Sequence, residues 1–312
     1  MDPVTHTLLG AAIGESFFRR RFGAKAIVVS AWAANLPDID ALVLLTGDPG
    51  AVILRRSFGH SLFLLPLWIA GLTWIFKKKY TEFETAGLAW IIAVNCAGHL
   101  GFDLINSFGV QLFWPLSLMR PELAIIFIID LTLATLLIVP HLTRFKDDWE
   151  PALILASRAS LVSVAFYLTM AFVGRELAMA QLARETAGAS FRYAFAEPFG
   201  AHRWRGVSKE DGAWKLSLID SSQGTMTPPI VERDDGEEEA SRAAARTPFG
   251  RRLLTFFKAP VWTVERTTEG GATVTVRDLR FDSMILASPN PFVYQFDVSP
   301  SGEAKPRKVR IW

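Results

Sequence analysis

Ala86-Gly-Leu-Ala-Trp-Ile-Ile-Ala-Val-Asn-Cys-Ala-Gly-His99-Leu-Gly-Phe-Asp103-Leu-Ile-Asn-Ser107 is an apolar run that carries a histidine and an aspartate near one end. Crossing the hydrocarbon core of a bilayer takes about 20 residues of helix. This run is long enough, and an ionised side chain inside a membrane is costly unless it is paired, metal-bound or functional. It therefore predicts both a membrane helix and a polar site within it.

Working outward, four more segments approach the length of a span. Ala26 to Leu45 is apolar apart from Asn35 and the break Pro37-Asp38-Ile39-Asp40. Ser61 to Phe76 is uninterrupted and ends at Lys77-Lys78-Lys79. Leu123 to Val139 holds one charge, Asp130, and Ala152 to Val173 holds Arg158 near its start. A shorter stretch, Val4 to Phe18, reads as a tilted span, a re-entrant helix or an interfacial one. Five or six membrane helices are expected. Met1-Asp2-Pro3 lacks the leading positive charge of a cleavable signal, since Arg19 to Arg21 follow the first apolar stretch.

Clusters of Lys and Arg mark cytoplasmic helix ends. Arg19 to Arg21 with Lys25, Lys77 to Lys79, and Arg144 with Lys146 supply those anchors. Tracing the spans from them brings Asp38, Asp40, His60, His99 and Asp103 to the outer ends of their segments, with His6 joining if the first stretch spans. Arg55 and Arg56 fall on the outer side, against the trend, which points to a local role. Trp114 and Phe113 suit an aromatic belt.

The composition then changes. Residues 190 to 312 alternate as strands do in Trp214-Lys-Leu-Ser-Leu-Ile219 and Thr273-Val-Thr-Val-Arg277, with turn signals at Glu210-Asp-Gly, Glu269-Gly-Gly and Ser301-Gly. Glu232 to Arg246 reads as an exposed helix or loop. The expected architecture is an α-helical polytopic membrane domain (1–188) followed by a small β-rich extracytoplasmic domain (189–312). A net charge of +2 gives no reason to expect nucleic acid as a partner. The single cysteine, Cys96, excludes a disulfide framework within the chain.

The residues gathered at one depth are imidazoles and carboxylates, a donor mixture that suits Zn²⁺, Mn²⁺ or Fe²⁺. His99 and Asp103, four apart, share one helix face and can reach a common ion. Asp38 and Asp40 follow a proline, where irregular backbone at membrane depth lines a cavity or is buried in protein. Taken singly, each has a plainer reading: a helix cap for the aspartates, a helix-start residue for His60, a terminal hydrogen bond for His6. Together they predict a metal site from His6, Asp38, Asp40, His60, His99 and Asp103. Arg56 would grip an anionic group or anchor at the headgroups. Asn106 and Ser107 would orient substrate or cap the helix, and Asp130 would pair with Arg158 or an inner group. His141 and His202 read as structural. No G-x-S-x-G elbow or Walker loop is present.

Met1-Asp-Pro-Val-Thr-His6, Ala34-Asn-Leu-Pro-Asp-Ile-Asp40, Arg56-Ser-Phe-Gly-His-Ser61 and His99-Leu-Gly-Phe-Asp-Leu-Ile-Asn-Ser107, running on to Pro115, together resemble the YdjM/YbcI type of inner-membrane proteins, a family described as metal-dependent hydrolases. The resemblance extends over the whole chain, with Arg203-Trp-Arg205 and Asp278-Leu-Arg-Phe281 as its traces in the second half. The ligand order is more distantly similar to that of zinc-dependent phospholipase C and zinc-dependent single-strand nucleases. That similarity implies one ion on Asp38 or Asp40, His60, His99 and Asp103, and a second on His6 with Asp103 bridging. A second H-x-x-x-D/E motif is missing, as is an N-terminal tryptophan, so one or two ions are expected and not three.

The expectation is a hydrolase of a lipid or lipid-linked phosphoester at the outer face of the inner membrane, with Asp38, Asp40 and Arg56 as catalytic residues. A proton- or ion-coupled transporter and a non-catalytic scaffold are the alternatives.

Overall fold

Asp2 opens the first helix: its carboxylate accepts from the Thr5 amide (2.9 Å) and hydroxyl (2.7 Å), and Pro3 fills the first helical position. This α1 (Pro3–Ile13) runs through a π-turn (Gly14–Phe18) into α2 (Arg19–Phe22), which Gly23 ends. It crosses α3 (Lys25–Ala33) at close range. A Cβ on Gly10 would lie 2.6 Å from the Ser30 carbonyl oxygen, and one on Gly14 would lie 2.8 Å from the Ile27 Cα. Small residues let the two backbones approach, as in membrane helix pairs.

Pro37 excludes continuation of α3, and the chain goes on as a 3₁₀ segment (Leu36–Thr46) bent by 45° from it. Short α4 (Ala51–Leu54) and a looped stretch follow, then α5 (Leu65–Lys79) and α6 (Thr85–Leu104). Next come α7 (Leu131–Leu142) and the long α8 (Glu150–Glu185). The computed structural model describes residues 2–48, 50–142, 150–286, 290 and 292–307. Arg144 and Lys146, used above as anchors, lie outside the described residues, as does the side chain of His141.

Among the described residues, α6 and α8 are each long and apolar enough to cross a membrane, and the bent pair of α3 with the 3₁₀ segment makes up to three. This is fewer than five or six. Two apolar runs are only partly helical. Ser61–Leu64 is turn, and α5 begins at Leu65 with Pro66 in its first turn, leaving 15 residues. Leu123–Ile126 is irregular, with Ala124 at a φ of 50°: the Leu123 and Ile125 amides donate to the Leu104 and Ile105 carbonyls, and Ile126 bridges Asn106. The run thus satisfies the open carbonyls at the end of α6 instead of forming helix. Asp130 then caps α7 through the Leu133 amide at 2.8 Å, and α7 has 12 residues.

Packing divides the chain into two units: Met1–Leu42, Arg55–Phe172 and Phe199–Ala201; and Val43–Leu54, Val173–Pro198 and His202–Trp312. The first has a core of Leu9, Ile13, Ile91, Ile92, Cys96 and Leu137. Large apolar side chains also face outward from it, among them Trp90 and Phe166, as lipid-facing helices require. At its basic end Lys25 pairs with Glu82 (2.5 Å) and Arg21 with Glu84 (3.4 Å), joining the start of α3 to the start of α6.

In the second unit the sequence alternation is matched by strands. One sheet holds β1 (Phe191–Ala196), β2 (Arg203–Glu210), β3 (Ala213–Asp220) and β4 (Thr225–Met226) in that order, with β5 (Ile230–Glu232) also on β3. Asp211 and Gly212, both with positive φ, make the tight turn between β2 and β3. After α9 (Glu239–Arg246) and α10 (Pro248–Phe256) comes an antiparallel sheet of β6 (Pro260–Arg266), β7 (Ala272–Asp278), β8 (Val293–Val298) and β9 (Ala304–Pro306). All pairings are antiparallel.

Candidate metal centre

Four segments of the first unit meet at the far end of α6 from the Lys25–Glu82 and Arg21–Glu84 pairs. His99 lies 14 residues into that helix, about 21 Å along its axis. His6 comes from α1, Asp38 and Asp40 from the bent segment, Arg56 and His60 from the loop before α5. His6, Asp40, His60, His99 and Asp103 are all fully buried.

The loop is fixed on both sides. Gly59 packs so tightly that a Cβ there would lie 2.0 Å from the Pro37 carbonyl oxygen. The Gln111 amide donates to the Arg56 carbonyl (2.9 Å), the Leu62 amide to the Leu112 carbonyl (2.9 Å), and the Ser61 hydroxyl to the Trp114 carbonyl (2.5 Å). Arg56 itself has a φ of 57°, a left-handed conformation that costs a non-glycine residue about 1 kcal/mol or more. That turn points its side chain inward.

Asp38, His60, His99 and Asp103 each bring one ligand atom within 4.8 Å of all the others. His60 Nε2 lies 3.0 Å from His99 Nε2 and 3.1 Å from Asp103 Oδ2, and His99 Nε2 lies 3.6 Å from the same oxygen. Asp38 Oδ1 is 4.0 Å from His60 Nε2. Ligands bound tetrahedrally at 2.0–2.1 Å stand about 3.3 Å apart, so these separations fit a shared ion.

The opposite ring nitrogens settle the tautomers. His60 Nδ1 donates to Asp40 Oδ2 (2.9 Å) and His99 Nδ1 donates to the Ala34 carbonyl (2.6 Å). With both Nδ1 atoms acting as donors, neutral rings present two Nε2 lone pairs to each other at 3.0 Å. Such an arrangement is repulsive unless a cation, a metal ion or a proton on one ring, lies between them. Asp38 Oδ2 and Asp40 Oδ1 are also buried without a hydrogen-bond partner. Asp38, Asp40 and Asp103 face the buried Arg56 and the partly exposed Arg55, so carboxylates outnumber guanidiniums there, an imbalance that a bound cation relieves. The residues present fit a metal.

The structure divides the labour among the expected ligands. Asp40 is not in the converging group: its Oδ2 also accepts from the Ser57 amide (2.8 Å), so it orients His60. A carboxylate behind a ligating histidine fixes the ring and raises its basicity. His6 stands beside the group, its ring stacked on His99 with centroids 3.7 Å apart and its Nε2 3.2 Å from Asp103 Oδ1. Its Nδ1 has no partner.

Arg56 was expected to face an anionic substrate. Its Nε lies 2.7 Å from Asp103 Oδ2, its Nη1 donates to Asn106 Oδ1 (2.8 Å), and its guanidinium covers the Phe108 ring. Asn106 thereby holds Arg56, and also accepts from the Phe108 amide. Asp130 pairs with the Tyr167 hydroxyl at 2.6 Å, whereas Arg158 Nε donates to the Ser16 carbonyl. Ser57, Gly59 and the Ala34 carbonyl were not legible as parts of the site. Only the glycine directly before His60 hints at the close approach.

The description YdjM inner membrane protein belongs to a family model that matches residues 1–180, which contains every one of these positions and stops before β1. No curated protein and no solved structure matches the chain.

Proposed function

We propose, from the premise that this chain belongs to the YdjM inner membrane protein family, that it is a membrane-embedded metal-dependent hydrolase of a lipid or lipid-linked phosphoester. The observation that carries this reading is the pair of Nε2 lone pairs converging beside Asp103 and Asp38. Asp38, His60, His99 and Asp103 would hold the ion, and His6 with Asp103 is suited to a second. A bound divalent ion supplies a water of lowered pKa and polarises a phosphoryl oxygen.

The chain's own groups do the rest. Asp40 and the Ala34 carbonyl fix the two imidazoles, so that their lone pairs are aimed before any ion arrives. Arg56 neutralises part of the Asp103 charge and holds that carboxylate in place. Asp38, whose side chain is 11% exposed while the other three are at 0%, lies on the open side, where water and substrate would reach the ion. The ends of α3 and α6 that carry Lys25, Glu82 and Glu84 are basic or paired with basic groups, and the cluster lies at the other end of α6. This supports an outer-face site on a protein of several spans. Asp130 is engaged by Tyr167 and Leu133, which weighs against a proton relay running past it.

The test is detergent-purified full-length protein, loaded with Zn²⁺, Mn²⁺ or Fe²⁺ and offered a panel of labelled phospholipids and polyprenyl phosphates. Cleavage that is lost on chelation and in His99→Ala is expected. Absence of any product across the panel, with metal bound, would remove the hydrolase reading and favour the scaffold.

A further inference from the structure

We infer that Arg55 is the anion-recognition residue of this centre and that the substrate presents a phosphate-type oxyanion beside the scissile bond. The inference deepens the hydrolase reading and rests on it.

The argument starts from the two neighbouring arginines. The left-handed turn at Arg56 sends them to different targets: Arg56 goes into the buried cluster and Arg55 to its open side. Arg56 is occupied by Asp103, Asn106 and Phe108. Arg55 is not comparably engaged. Its Nη2 stands 3.5 Å from Asp38 Oδ1, at the limit of a hydrogen bond, and its Nε is buried without a partner. A guanidinium built only to support Asp38 would close the usual two-pronged contact at about 2.7–2.9 Å. This one stops short and keeps donors in reserve.

Its backbone, by contrast, is held. Arg120 Nη2 donates to the Arg55 carbonyl at 3.0 Å, and the next carbonyl accepts from Gln111. A side chain of which about a quarter is exposed therefore projects from a fixed base towards the one ligand that is itself partly exposed. An oxyanion that reaches the ion past Asp38 meets the Arg55 fork on the same side. A planar, charged fork of donors pairs with two oxygens of a phosphate at once, whereas a neutral ester or amide offers it a single uncharged carbonyl oxygen and a weaker contact. The chemistry is shared by a lipid phosphate headgroup and by free phosphate.

The experiment uses the full-length protein in phosphatidylcholine nanodiscs, loaded with Zn²⁺, with metal content and inorganic phosphate affinity measured on each sample. Wild type, Arg55→Ala and Arg55→Lys are compared, with and without phosphatidic acid in the disc. Phosphate affinity is expected to fall about ten- to a hundred-fold in Arg55→Ala, and less in Arg55→Lys, with zinc content unchanged. Competition of phosphatidic acid against free phosphate, reduced in Arg55→Ala, would identify the lipid headgroup as the source. Its failure to compete, with the free-ion effect intact, would identify a soluble phosphate. Equal phosphate affinity in wild type and Arg55→Ala overturns the assignment, as does loss of zinc in Arg55→Ala, which makes Arg55 a support for Asp38. Failure of the wild type to hold zinc is a separate result: it overturns the metal centre itself.

Discussion

Two sets of buried charges in this chain look alike in composition and differ in how they are satisfied. In the β-rich unit, Glu197, Arg205, Asp278 and Arg280 are all almost fully buried. Glu197 accepts from Arg205 Nη1 (2.7 Å), the Met284 amide (3.0 Å) and the Ser283 hydroxyl (2.5 Å). Asp278 accepts from the Lys258, Ala259 and Arg280 amides, and Arg205 and Arg280 donate to the Arg280 and Phe256 carbonyls. Every carboxylate oxygen there meets a donor. At the centre on α6, the Nε2 atoms of His60 and His99 face each other at 3.0 Å, and Asp38 Oδ2 and Asp40 Oδ1 lack donors. Burial is near complete in both regions, Asp38 excepted. What separates a structural ionic cluster from a binding site is the direction of the leftover lone pairs.

The sharpest way to break this comparison is to remove a converging ligand. His99→Ala and Asp103→Ala should take bound metal from about one or two ions per chain to none, by elemental analysis of purified protein, while Arg205→Ala leaves it unchanged. Gly59→Ala comes next. Its Cβ cannot coexist with the Pro37 carbonyl at 2.0 Å, so the loop must move away from the bent segment. Metal binding should then be largely lost, although no ligand is altered.

On the structural side, Arg205→Ala leaves Glu197 without its cation and should destabilise the fold by about 3–5 kcal/mol in denaturant unfolding. Replacing both partners with apolar residues should recover most of that loss. Asp40→Asn tests the support of His60, and metal affinity should fall about 10- to 100-fold without vanishing. The smallest effect belongs to Tyr167→Phe, which removes one hydrogen bond to Asp130. It should cost about 1 kcal/mol and leave metal content untouched.

Much of the centre was legible because side chains announce themselves. The spacing of His99 and Asp103 on one helix face, and the shared depth of His60 with Asp38 and Asp40 traced from the Lys/Arg anchors, suffice to gather a donor set. Backbone roles leave no such trace. The Ala34 carbonyl that fixes His99, and the Ser57 amide that holds Asp40, belong to residues whose side chains say nothing. Asp38 and Asp40 are chemically identical and two apart, so only the 3₁₀ geometry decides which faces the other ligands. Arg56 was assigned to substrate because a backbone turn with positive φ cannot be read at an arginine. Hydropathy is equally blind along Leu123–Ile126, where an apolar run is irregular and bonded to the end of α6.

The conformation of Arg56 has a consequence for reading relatives. Its φ suits glycine or asparagine, but neither carries a charge, and its simultaneous contacts with Asp103 and Asn106 call for a charged fork that lysine lacks. A chain that still uses the centre has reason to retain this uncomfortable arginine. One that has abandoned it is free to relax the backbone at that point. Position 56 is thus a compact diagnostic for sorting working copies from decayed ones, visible in sequence alone.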